Sequence, residues 1–569
     1  MLNNEGNELS SFALKPNYHD VENYLLSRKP NLQLIDKEIS TIIEKMKKIH
    51  IVIALLIFYA FKLNAADKPT VVVYGGTPGG ISAAVAAARQ GAKVILIEQT
   101  RHVGGMNTSG IGTAETEHMI EETISGIPLE IYTRIGKAYG MNKPAFYFES
   151  HVAEKIFVDM LAEQHVSVIY EAFVNKVNKR DDAIKSITLT NGKTVSGDTF
   201  IDATYEGDLM ARAGVSYTYG RESRAQYNES LAGIRLLDKP IDVSPYDDNE
   251  KLLPGFIEAK KLSNGEASKR IINYNFRLMM STNFDRVPFP LPLHYYANRF
   301  ITLKRLLAEH PNTKLSDIID LYSWNYPPGK FEANNKQNSV ISLGLFGGNT
   351  NYPDAGYEKR KQIFQDHKDW TLGLLYFLQH DQSVPKQLHD EANRYGLAPD
   401  EFKDNHNFPY YLYIREARRM VGSYVQTQKD IFEEPKKTDA IALGSHFVDC
   451  HHVQKVAISK TQYINEGRIW AKVEQPYELS YRVIIPKENE CTNLLVPVCV
   501  SASHVGFCSV RVEVTWMQLG QAAGIAATIA AKTKKPVQDI DVNQLQQVLK
   551  KGGVILNRDE KHWINNDKS

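Results

Sequence analysis

Residues 68–110 constrain the fold of this chain more than any other part of the sequence. A short β-branched apolar run at Thr70–Tyr74 has the composition of a buried parallel strand, and four glycines crowd the turn after it. The pattern then predicts a helix of small residues over Ile81–Gln90 and a second strand over Val94–Ile97. The segment therefore predicts a strand–turn–helix–strand unit whose turn lets a ligand approach the backbone at the helix start.

The glycine turn favours a dinucleotide as that ligand. Glu98 ends the second strand about 20 residues after the first glycine, where an acid can bind a ribose hydroxyl. Thr77 occupies the position of the middle glycine in the usual G-x-G-x-x-G pattern. The alternative is a glycine-rich turn that binds nothing. The residues expected to hold the dinucleotide here are Gly75, Gly76, Thr77, Pro78, Gly79, Gly80, Glu98 and Gln99.

Length and charge set broad limits on the partners. The chain has 569 residues, enough for two or three domains. Its formal net charge is +1, so we expect no nucleic acid partner. Its cysteines form no C-x-x-C pair and show no zinc-binding spacing, so we expect no metal site. The cysteines are Cys450, Cys491, Cys499 and Cys508.

A targeting signal is predicted ahead of the glycine turn. Met46 is followed by two lysines and an apolar run over Ile49–Phe61, and small residues before Asp67 suit cleavage. The run has about 13 residues, fewer than the roughly 20 that span a bilayer. We therefore expect a signal peptide over residues 46–66, a periplasmic or secreted protein, and no stable membrane span. Residues 1–45 are then a non-native or disordered extension, and translation starts at Met46. The alternative is that the apolar run is a short membrane anchor and that residues 1–45 are its cytoplasmic tail.

Two later stretches could also contact a dinucleotide. The first, R-H-V-G-G-M over residues 101–106, could by itself be a flexible loop. In the second, a strand over Thr199–Ala203 leads through an acidic turn into a short predicted helix. Asp202 and Asp208 in this turn can bind ligand hydroxyl groups or can simply cap the helix.

These stretches together resemble the bacterial FAD-dependent oxidoreductase family, through V-V-V-Y-G-G-T-P-G-G, R-H-V-G-G-M and I-D-A-T-Y-E-G-D-L-M-A-R-A-G-V. Its members share the nucleotide-binding fold of glutathione reductase and fumarate reductase, and threonine is frequent at the position of Thr77. Members are often secreted by polysaccharide-degrading bacteria, and some are labelled xanthan lyase. The resemblance implies FAD as the cofactor.

The resemblance also implies the architecture. We expect an α/β fold in which a Rossmann-type FAD-binding domain, a parallel sheet with a three-layer ββα arrangement, receives an inserted mixed α+β substrate domain. The expected parts are the extension 1–45, the signal peptide 46–66, the first part of the FAD-binding domain 67–221, the substrate domain 222–435, a return to the FAD-binding domain 436–535 and a peripheral cap 536–569.

The closing segment of the family resembles Asn493–Ala530. Its helix, predicted over Thr515–Ala530, carries Gly520 and Gly524 on one face and could pack closely on the first domain; packing without a ligand is the alternative. The N-terminus of this helix could face the pyrimidine edge of the flavin. The further residues expected to contact FAD are Gly104, Gly105, Met106, Asp202, Ala203, Asp208, Gly520 and Gly524.

Arginines are candidates for substrate binding. Arg415, Arg418 and Arg419 recur at i, i+3 and i+4, which predicts one cationic face of a helix. Either internal salt bridges or an anionic ligand, such as a substrate or the flavin diphosphate, would balance such a face. Arg415 and Arg511 are the candidates for anchoring substrate or stabilising charge.

Two histidines are candidates for moving a substrate proton. Because neighbouring strand residues point to opposite faces, only one of His451 and His452 can face a given pocket. The family pattern resembles D-S-H-x-x-Q here, so Cys450 replaces a serine and His451 matches the recurring histidine. His451 could face the substrate, be a structural histidine or bind a metal. With His504, it is a candidate acid or base because histidine titrates near neutral pH.

The expected function is hydride transfer between a small or carbohydrate-like substrate and flavin N5. No second G-x-G-x-x-G motif is evident for NAD(P)H, so oxygen, a quinone or a redox protein is expected as the electron acceptor. Two alternatives are a lyase or isomerase that retains FAD, and a non-catalytic binding protein on the same scaffold.

Overall fold

A computed structural model describes residues 37–52, 68–323 and 326–561. The chain divides into two compact units, Met1–Lys68 and Pro69–Ser569. In the first unit, residues 37–52 form an exposed helix. Most of the predicted signal peptide and of the predicted N-terminal extension lies outside the described residues. None of the helices that the structure describes is long and apolar enough to cross a membrane.

The second unit contains many short strands and a few long helices. Its first part consists of β1 (Thr70–Tyr74), α1 (Pro78–Arg89), β2 (Lys93–Ile97), α2 (Ile127–Ala138), α3 (Ser150–Glu163), β3 (Ser167–Ile169), β4 (Val174–Arg180), β5 (Ala183–Leu189), β6 (Thr194–Ser196), β7 (Thr199–Asp202), α4 (Asp208–Arg212) and β8 (Tyr217–Thr218). The middle part consists of α5 (Arg224–Tyr227), β9 (Phe256–Glu258), β10 (Leu278–Ser281), α6 (Ile301–Glu309), β11 (Ile319–Tyr322), β12 (Lys330–Asn335), α7 (Tyr357–His380), α8 (Lys386–Ala392), β13 (Gly396–Leu397), β14 (Arg419–Met420) and α9 (Gln428–Phe432). The last part consists of β15 (Ala440–Gly444), β16 (Val448–Cys450), β17 (Gln454–Ala457), β18 (Tyr463–Glu466), β19 (Ile469–Ala471), β20 (Tyr477–Ser480), β21 (Leu494–Leu495), α10 (His504–Val510), α11 (Glu513–Thr533) and α12 (Val542–Lys551).

Five strands form a parallel sheet in the order β21-β7-β1-β2-β3. The central strand β1 pairs Thr70 with Lys93 of β2 and Val71 with Thr199 of β7. The predicted strand–turn–helix–strand unit is confirmed, although α1 begins before the predicted Ile81. The sheet therefore unites strands from both ends of the unit.

The two faces of β1 lie in different cores. Val71 and Val73 belong to the main core with apolar residues of α1 and α11. Val72 and Tyr74 belong to a second core with apolar residues of β4 and β5. These two strands form an antiparallel sheet with β6. The helices, the parallel sheet and the antiparallel sheet are the three layers of the predicted Rossmann-type ββα fold, which is confirmed.

Helix α11 packs directly on the backbone of α1. A Cβ atom added at Gly520 would lie 2.0 Å from the carbonyl oxygen of Gly79. One added at Gly524 would lie 2.1 Å from the carbonyl oxygen of Ala83. Only glycine allows this approach, so the predicted close packing of the C-terminal helix is confirmed.

The middle of the unit is mixed in structure. A four-stranded antiparallel sheet runs in the order β11-β12-β10-β13, and apolar residues of this sheet and of the long helix α7 belong to the main core. Near the C-terminus, α12 places Leu545 and Leu549 in the main core. The predicted domain boundaries stay predictions, because residues 69–569 form one compact unit.

The predicted helix with Arg415, Arg418 and Arg419 on one face is wrong. Residues 414–418 have no regular secondary structure, and Arg419 begins β14, which pairs with β8. Each arginine is buried in a separate set of tertiary contacts, and these contacts outweigh the helical spacing of the sequence.

A buried lysine connects β12 to two other segments. Nζ of Lys330 lies 2.6 Å from Glu149, 2.9 Å from Asp400 and 2.8 Å from Glu401. Lys330, Glu149 and Glu401 are all buried. The lysine therefore neutralises carboxylates that have little access to water.

Replacing this lysine by methionine should destabilise the protein strongly. Lys330→Met leaves buried carboxylates without their cation, which costs about 3–5 kcal/mol in the free energy of unfolding. Lys386→Met removes an exposed pair with Asp390 and should leave the free energy of unfolding almost unchanged, because water screens such a pair. Denaturant titration of both variants measures the difference, and equal losses would contradict the assignment.

Candidate active site

The glycine turn after β1 has almost no room for side chains. Gly75 has φ +107°, and a Cβ atom there would lie 2.7 Å from the carbonyl carbon of Ala203. A Cβ atom on Gly80 would lie 1.9 Å from the carbonyl oxygen of Gly75. The turn can therefore adopt this backbone conformation at the start of α1 only because these residues are glycine.

Thr77 explains why the middle glycine of the motif is dispensable. Its φ of −64° and ψ of 165° are ordinary for an L-residue. Its hydroxyl accepts a hydrogen bond from the Gly80 N–H at 3.1 Å and donates one to the Ala203 carbonyl at 2.7 Å. Thr77 is thus the N-cap of α1, with Pro78 at the first position of the helix, where proline is favoured.

Glu98 lies beside the turn, as predicted from its spacing. Its carboxylate accepts hydrogen bonds from the Gly76 N–H at 2.8 Å, from the Thr100 N–H at 2.7 Å and from the Tyr411 hydroxyl. Burial raises the pKa of Glu98, although these hydrogen bonds act in the opposite direction. The neighbouring Gln99 donates to the Tyr74 hydroxyl at 2.9 Å.

The second glycine pair lies against the first. The Gly104 N–H donates to the Gly76 carbonyl at 2.6 Å. Gly104 and Gly105 have φ values of +104° and +49°. Met106 donates its N–H to the Tyr205 hydroxyl at 3.0 Å. We call the glycine turn, Glu98 and this second pair the nucleotide cradle.

The acidic residues after β7 are occupied by other parts of the chain. Asp202 accepts a hydrogen bond from the Met210 N–H at 2.8 Å. Asp208 pairs with Arg360 at 2.6 Å and with Arg418 at 2.8 Å. The structure therefore places Asp202 as a cap of α4 and Asp208 in a buried ion pair, and contact of either side chain with FAD stays a prediction.

Unsatisfied polar atoms near the start of α11 show that FAD fits this region. Buried polar groups nearly always have a hydrogen-bond partner. Among the described residues, several buried side-chain atoms have none: Asn107 Oδ1, Glu513 Oε2, Thr515 Oγ1, Trp516 Nε1 and both amide atoms of Gln518. The cradle offers backbone N–H groups suited to the diphosphate, and these side chains offer donors and acceptors suited to the polar edge of a flavin.

A polar pocket of about 150 Å³ is lined by His451, one of the four predicted catalytic residues, and by Asp449, which pairs with another of them, Arg511. A cavity of about this size holds a six-membered ring such as benzene. Its walls include Glu115, Arg277, Tyr413, Asp449, His451 and Trp470. A larger surface groove of about 870 Å³ lies between Tyr139 and Ile555, but no histidine or arginine is among the described residues that line it. The polar pocket is therefore the better candidate for chemistry.

The polar pocket and the nucleotide cradle share a connecting segment. Tyr411 donates to Glu98 of the cradle, and Tyr413 donates to Glu115 of the pocket at 2.8 Å. Glu115 also accepts a 3.4 Å hydrogen bond from the backbone N–H of Glu513, the first residue of α11. The pocket thus lies beside the start of α11, where several buried polar atoms have no hydrogen-bond partner among the described residues.

Asp449 joins two of the predicted catalytic residues. Its Oδ2 lies 3.1 Å from Nη2 of Arg511 and 3.5 Å from Nε2 of His451. Burial alone would raise the pKa of Asp449, but His451 and Arg511 hold it far below its usual range. The carboxylate is therefore ionised at any pH the protein is expected to meet.

His451 is neutral in this environment. Burial and the positive charges of Arg415 and Arg511 lower its pKa to about 3, although Asp449 acts in the opposite direction. Its Nδ1 contacts the amide nitrogen of Gln337, which assigns the proton to Nε2, on the side of Asp449. A neutral imidazole can accept a proton, as a general base requires.

Arg415 differs from the two arginines near it in sequence. Arg418 pairs with Asp208 and Arg419 pairs with Glu222, as the salt-bridge alternative predicted. Arg415 packs over the Tyr413 ring at 4.2 Å, and its Nε and Nη2 have no hydrogen-bond partner among the described residues. Burial lowers its pKa to about 10, so it remains a cation.

His504, like Arg415 and Arg511, is not among the described residues that line the polar pocket. Its Nδ1 lies 3.0 Å from Glu416 and its Nε2 lies 3.4 Å from the sulfur of Cys450. Burial lowers the pKa of His504, but Glu416 and Cys450 outweigh that effect and raise it to about 10. Its two ring nitrogens face Glu416 and the sulfurs of Cys450 and Cys508, so the structure favours His451 over His504 as a base.

Several residues of the polar pocket were not expected from the sequence. Glu115, Arg277 and Gln337 come from separate loops and strands, and Trp470 comes from β19. None belongs to a local pattern, so no short-range signal could have found them. Asp449 was not among the predicted site residues, although alternation along extended backbone places it on the same side of the chain as His451, two residues later.

The fold and these two sites define a dinucleotide-binding protein with a polar pocket beside its nucleotide cradle. The model of the family described as FAD dependent oxidoreductase matches residues 70–549. The chain belongs to this family; it is an FAD-dependent oxidoreductase, and FAD is its cofactor. No curated protein matches the sequence.

Solved structures match parts of the chain. Thermovibrio ammonificans THI4 is 16% identical, with 34% of this chain and 75% of that chain covered and a TM-score of 0.21. The tetracycline destructase Tet(51) is 15% identical; the match covers 27% of this chain and 44% of Tet(51), with a TM-score of 0.21. The flavin-dependent brominase Bmp2 is 16% identical; the match covers 27% of this chain and 42% of Bmp2, with a TM-score of 0.21. The match spans less than half the length of the last two proteins.

Proposed function

We propose that the protein oxidises a hydroxyl group of a small, carbohydrate-like molecule in the polar pocket. The observation that carries the proposal is a neutral His451 beside an ionised Asp449, in a polar pocket next to the nucleotide cradle. Bound FAD supplies the two-electron acceptor. The residues of the pocket bind the substrate, orient it and take up its hydroxyl proton.

His451 is the proposed base. Its Nδ1 carries the lone pair and now meets the Gln337 amide, which a substrate hydroxyl would replace. Proton uptake produces an imidazolium, which Asp449 stabilises from the Nε2 side. His451 therefore accepts the proton at Nδ1 while Asp449 keeps the ring oriented.

Arg415, which is buried and packs over the pocket residue Tyr413, is the proposed anchor for an anionic group of the substrate. Its two unpartnered N–H positions, Nε and Nη2, suit a carboxylate, which arginine binds with two parallel hydrogen bonds. The Arg415 charge also lowers the pKa of His451. A bound carboxylate would offset that charge and make His451 a stronger base, so sugar acids fit the pocket better than neutral sugars.

Trp470 is suited to the apolar face of a sugar ring. It lines the pocket, is 44% exposed, and lies 5.3 Å from the Phe447 ring, centre to centre. An exposed ring next to hydrogen-bonding groups offers both kinds of contact that a sugar needs.

Anaerobic titration of the FAD-loaded protein with sugars, glycosides and sugar acids tests this proposal. A substrate should bleach the visible flavin absorbance in proportion to the amount added, with sugar acids the most effective. Turnover of a substrate with an unbleached flavin and no net electron transfer would instead favour a lyase or isomerase. A purified protein without FAD that binds sugars unchanged would favour a binding protein.

The rate of flavin reduction by substrate should change little as the pH falls from neutral to about 5. Because the pKa of His451 is lowered to about 3, its base form persists well below neutral pH, and the reduction rate should be lost only as the pH falls toward that value. An unperturbed histidine would leave about 3% of the base at pH 5, a loss of about 30-fold. The second-order rate constant for flavin reduction, measured by stopped flow at low substrate concentration between pH 5 and 8, reports the free protein and tests this. A fall of that size at pH 5 would contradict the assignment of His451.

Secretion and the electron acceptor are parts of the same proposal. The basic and apolar pattern of residues 46–66 supports export to the periplasm or beyond. The sequence shows no second G-x-G-x-x-G motif for NAD(P)H, which supports oxygen, a quinone or a redox protein as the acceptor of electrons. N-terminal sequencing of the native protein tests the first part, and an intact Met1 would refute it. Reoxidation of the reduced protein by each acceptor tests the second.

A further inference from the structure

A second cluster of reactive side chains lies next to the polar pocket. Cys450 ends β16, and His504 and Cys508 lie one turn apart on α10. Nε2 of His504 lies 3.4 Å from Sγ of Cys450 and 3.7 Å from Sγ of Cys508. All three side chains are buried, and their ligand atoms lie within 4.8 Å of one another.

We propose that Cys450, His504 and Cys508 bind one zinc ion. In a tetrahedral site, zinc bonds of about 2.3 Å to sulfur and about 2.1 Å to nitrogen place the two ligand atoms about 3.6 Å apart. The two sulfur–nitrogen distances of 3.4 and 3.7 Å lie on either side of this value. The Cys450 thiol can donate to the His451 carbonyl at 3.2 Å, but hydrogen bonding still does not explain why both sulfurs lie close to His504 Nε2, which has only one proton or one lone pair.

The other ring nitrogen of His504 has the environment of a zinc ligand. Its Nδ1 lies 3.0 Å from Glu416, which also pairs with Arg419. Zinc-binding histidines usually donate their second N–H to a carboxylate, which turns the lone pair of the first nitrogen toward the metal. Glu222 accepts the backbone N–H of His504 at 2.8 Å, so the start of α10 is held in place as well.

The site joins the two elements that carry the Asp449–His451–Arg511 cluster. Cys450 lies between Asp449 and His451 in the chain, and Arg511 directly follows α10. A zinc ion would therefore fix the position of the base relative to the arginine that pairs with Asp449. Three protein ligands leave the fourth zinc position to an oxygen ligand, as in other sites with three protein ligands.

Metal analysis of the purified, FAD-loaded protein tests the proposal and needs no substrate, so its result is separate from that of the proposed oxidation. We expect about one zinc per chain in the wild type and less than about 0.1 in Cys450→Ser and Cys508→Ser. Cys491→Ser is the matched control, because Cys491 is also buried but lies outside the cluster and contacts Asn493. It should retain the full zinc content.

Cobalt substitution of the wild-type protein covers the case in which the cysteine variants do not fold. Protein produced in cobalt-supplemented medium should show cobalt–thiolate bands in the red, where oxidised flavin does not absorb. Two outcomes would overturn the proposal. One is zinc-free wild type from zinc-supplemented medium, with four thiols titratable after denaturation; the other is a disulfide between Cys450 and Cys508.

Discussion

A Gly80→Ala variant is expected to bind FAD about 5- to 150-fold more weakly than the wild type. The added Cβ atom would lie 1.9 Å from the carbonyl oxygen of Gly75, and a backbone atom cannot rotate away as a side chain can. Gly75 cannot move freely either, because the Ala203 backbone packs against its Cα. Overpacking of this kind costs about 1–3 kcal/mol. When this strain destabilises the FAD-bound form of the cradle, the affinity for FAD falls by about 5- to 150-fold.

The ratio of flavin absorbance to protein after gel filtration, followed by titration with FAD, measures this effect. Gly356→Ala is the matched control, because Gly356 has an ordinary φ of −69° and no atom within 4 Å of an added Cβ. It should retain stoichiometric FAD. Circular dichroism separates loss of the cofactor from loss of the fold. A folded Gly80→Ala protein with normal FAD affinity would show that the turn is not the diphosphate site.

A His451→Asn variant is expected to retain FAD and lose most of its reduction rate. General-base catalysis contributes about 10²- to 10⁴-fold, so the rate constant for flavin bleaching by a saturating substrate should fall by that factor. Because asparagine can still hydrogen-bond to Gln337 and Asp449, the substrate affinity should change much less. Stopped-flow spectroscopy over a range of substrate concentrations separates the rate constant from the affinity.

The adjacent histidine provides the control for this variant. His452 is buried, and its Nε2 lies 3.3 Å from Asp238, whereas His451 faces Asp449. His452→Asn should therefore leave the rate constant per bound flavin within about threefold of the wild type. Equal losses in both variants would show that His451 acts only through local structure.

The nucleotide half of the site was predictable because its requirements are local. A turn with φ +107° at Gly75 and a backbone contact at Gly80 demands glycine at fixed positions, and this demand is visible in the sequence. Glu98 at the end of the next strand was predictable for the same reason, because its position is set by its spacing from the glycine turn. The role of Thr77 was harder to predict, because its hydroxyl bonds to Ala203, which is distant in sequence.

The pocket half was predictable only in part, because it depends on tertiary contacts. His451 was identified from a local pattern, but the spacing of Arg415, Arg418 and Arg419 predicted a helix that does not form. Buried contacts with separate partners decide the conformation of that segment. His504 was assigned a catalytic role by sequence alone, and only the structure shows that Glu416 and two cysteines surround it.

The packing of α11 on α1 has a consequence for how the protein is made. Gly520 and Gly524 contact the backbone of residues 79 and 83, so the cradle helix acquires its packing partner only when the end of the chain has been synthesised. Contacts between such distant residues form slowly and late in folding. Until then, α11 does not pack on the apolar face of α1, and this face can aggregate or bind chaperones. The nascent chain should therefore acquire FAD after release from the ribosome, and truncation before α11 should abolish flavin incorporation.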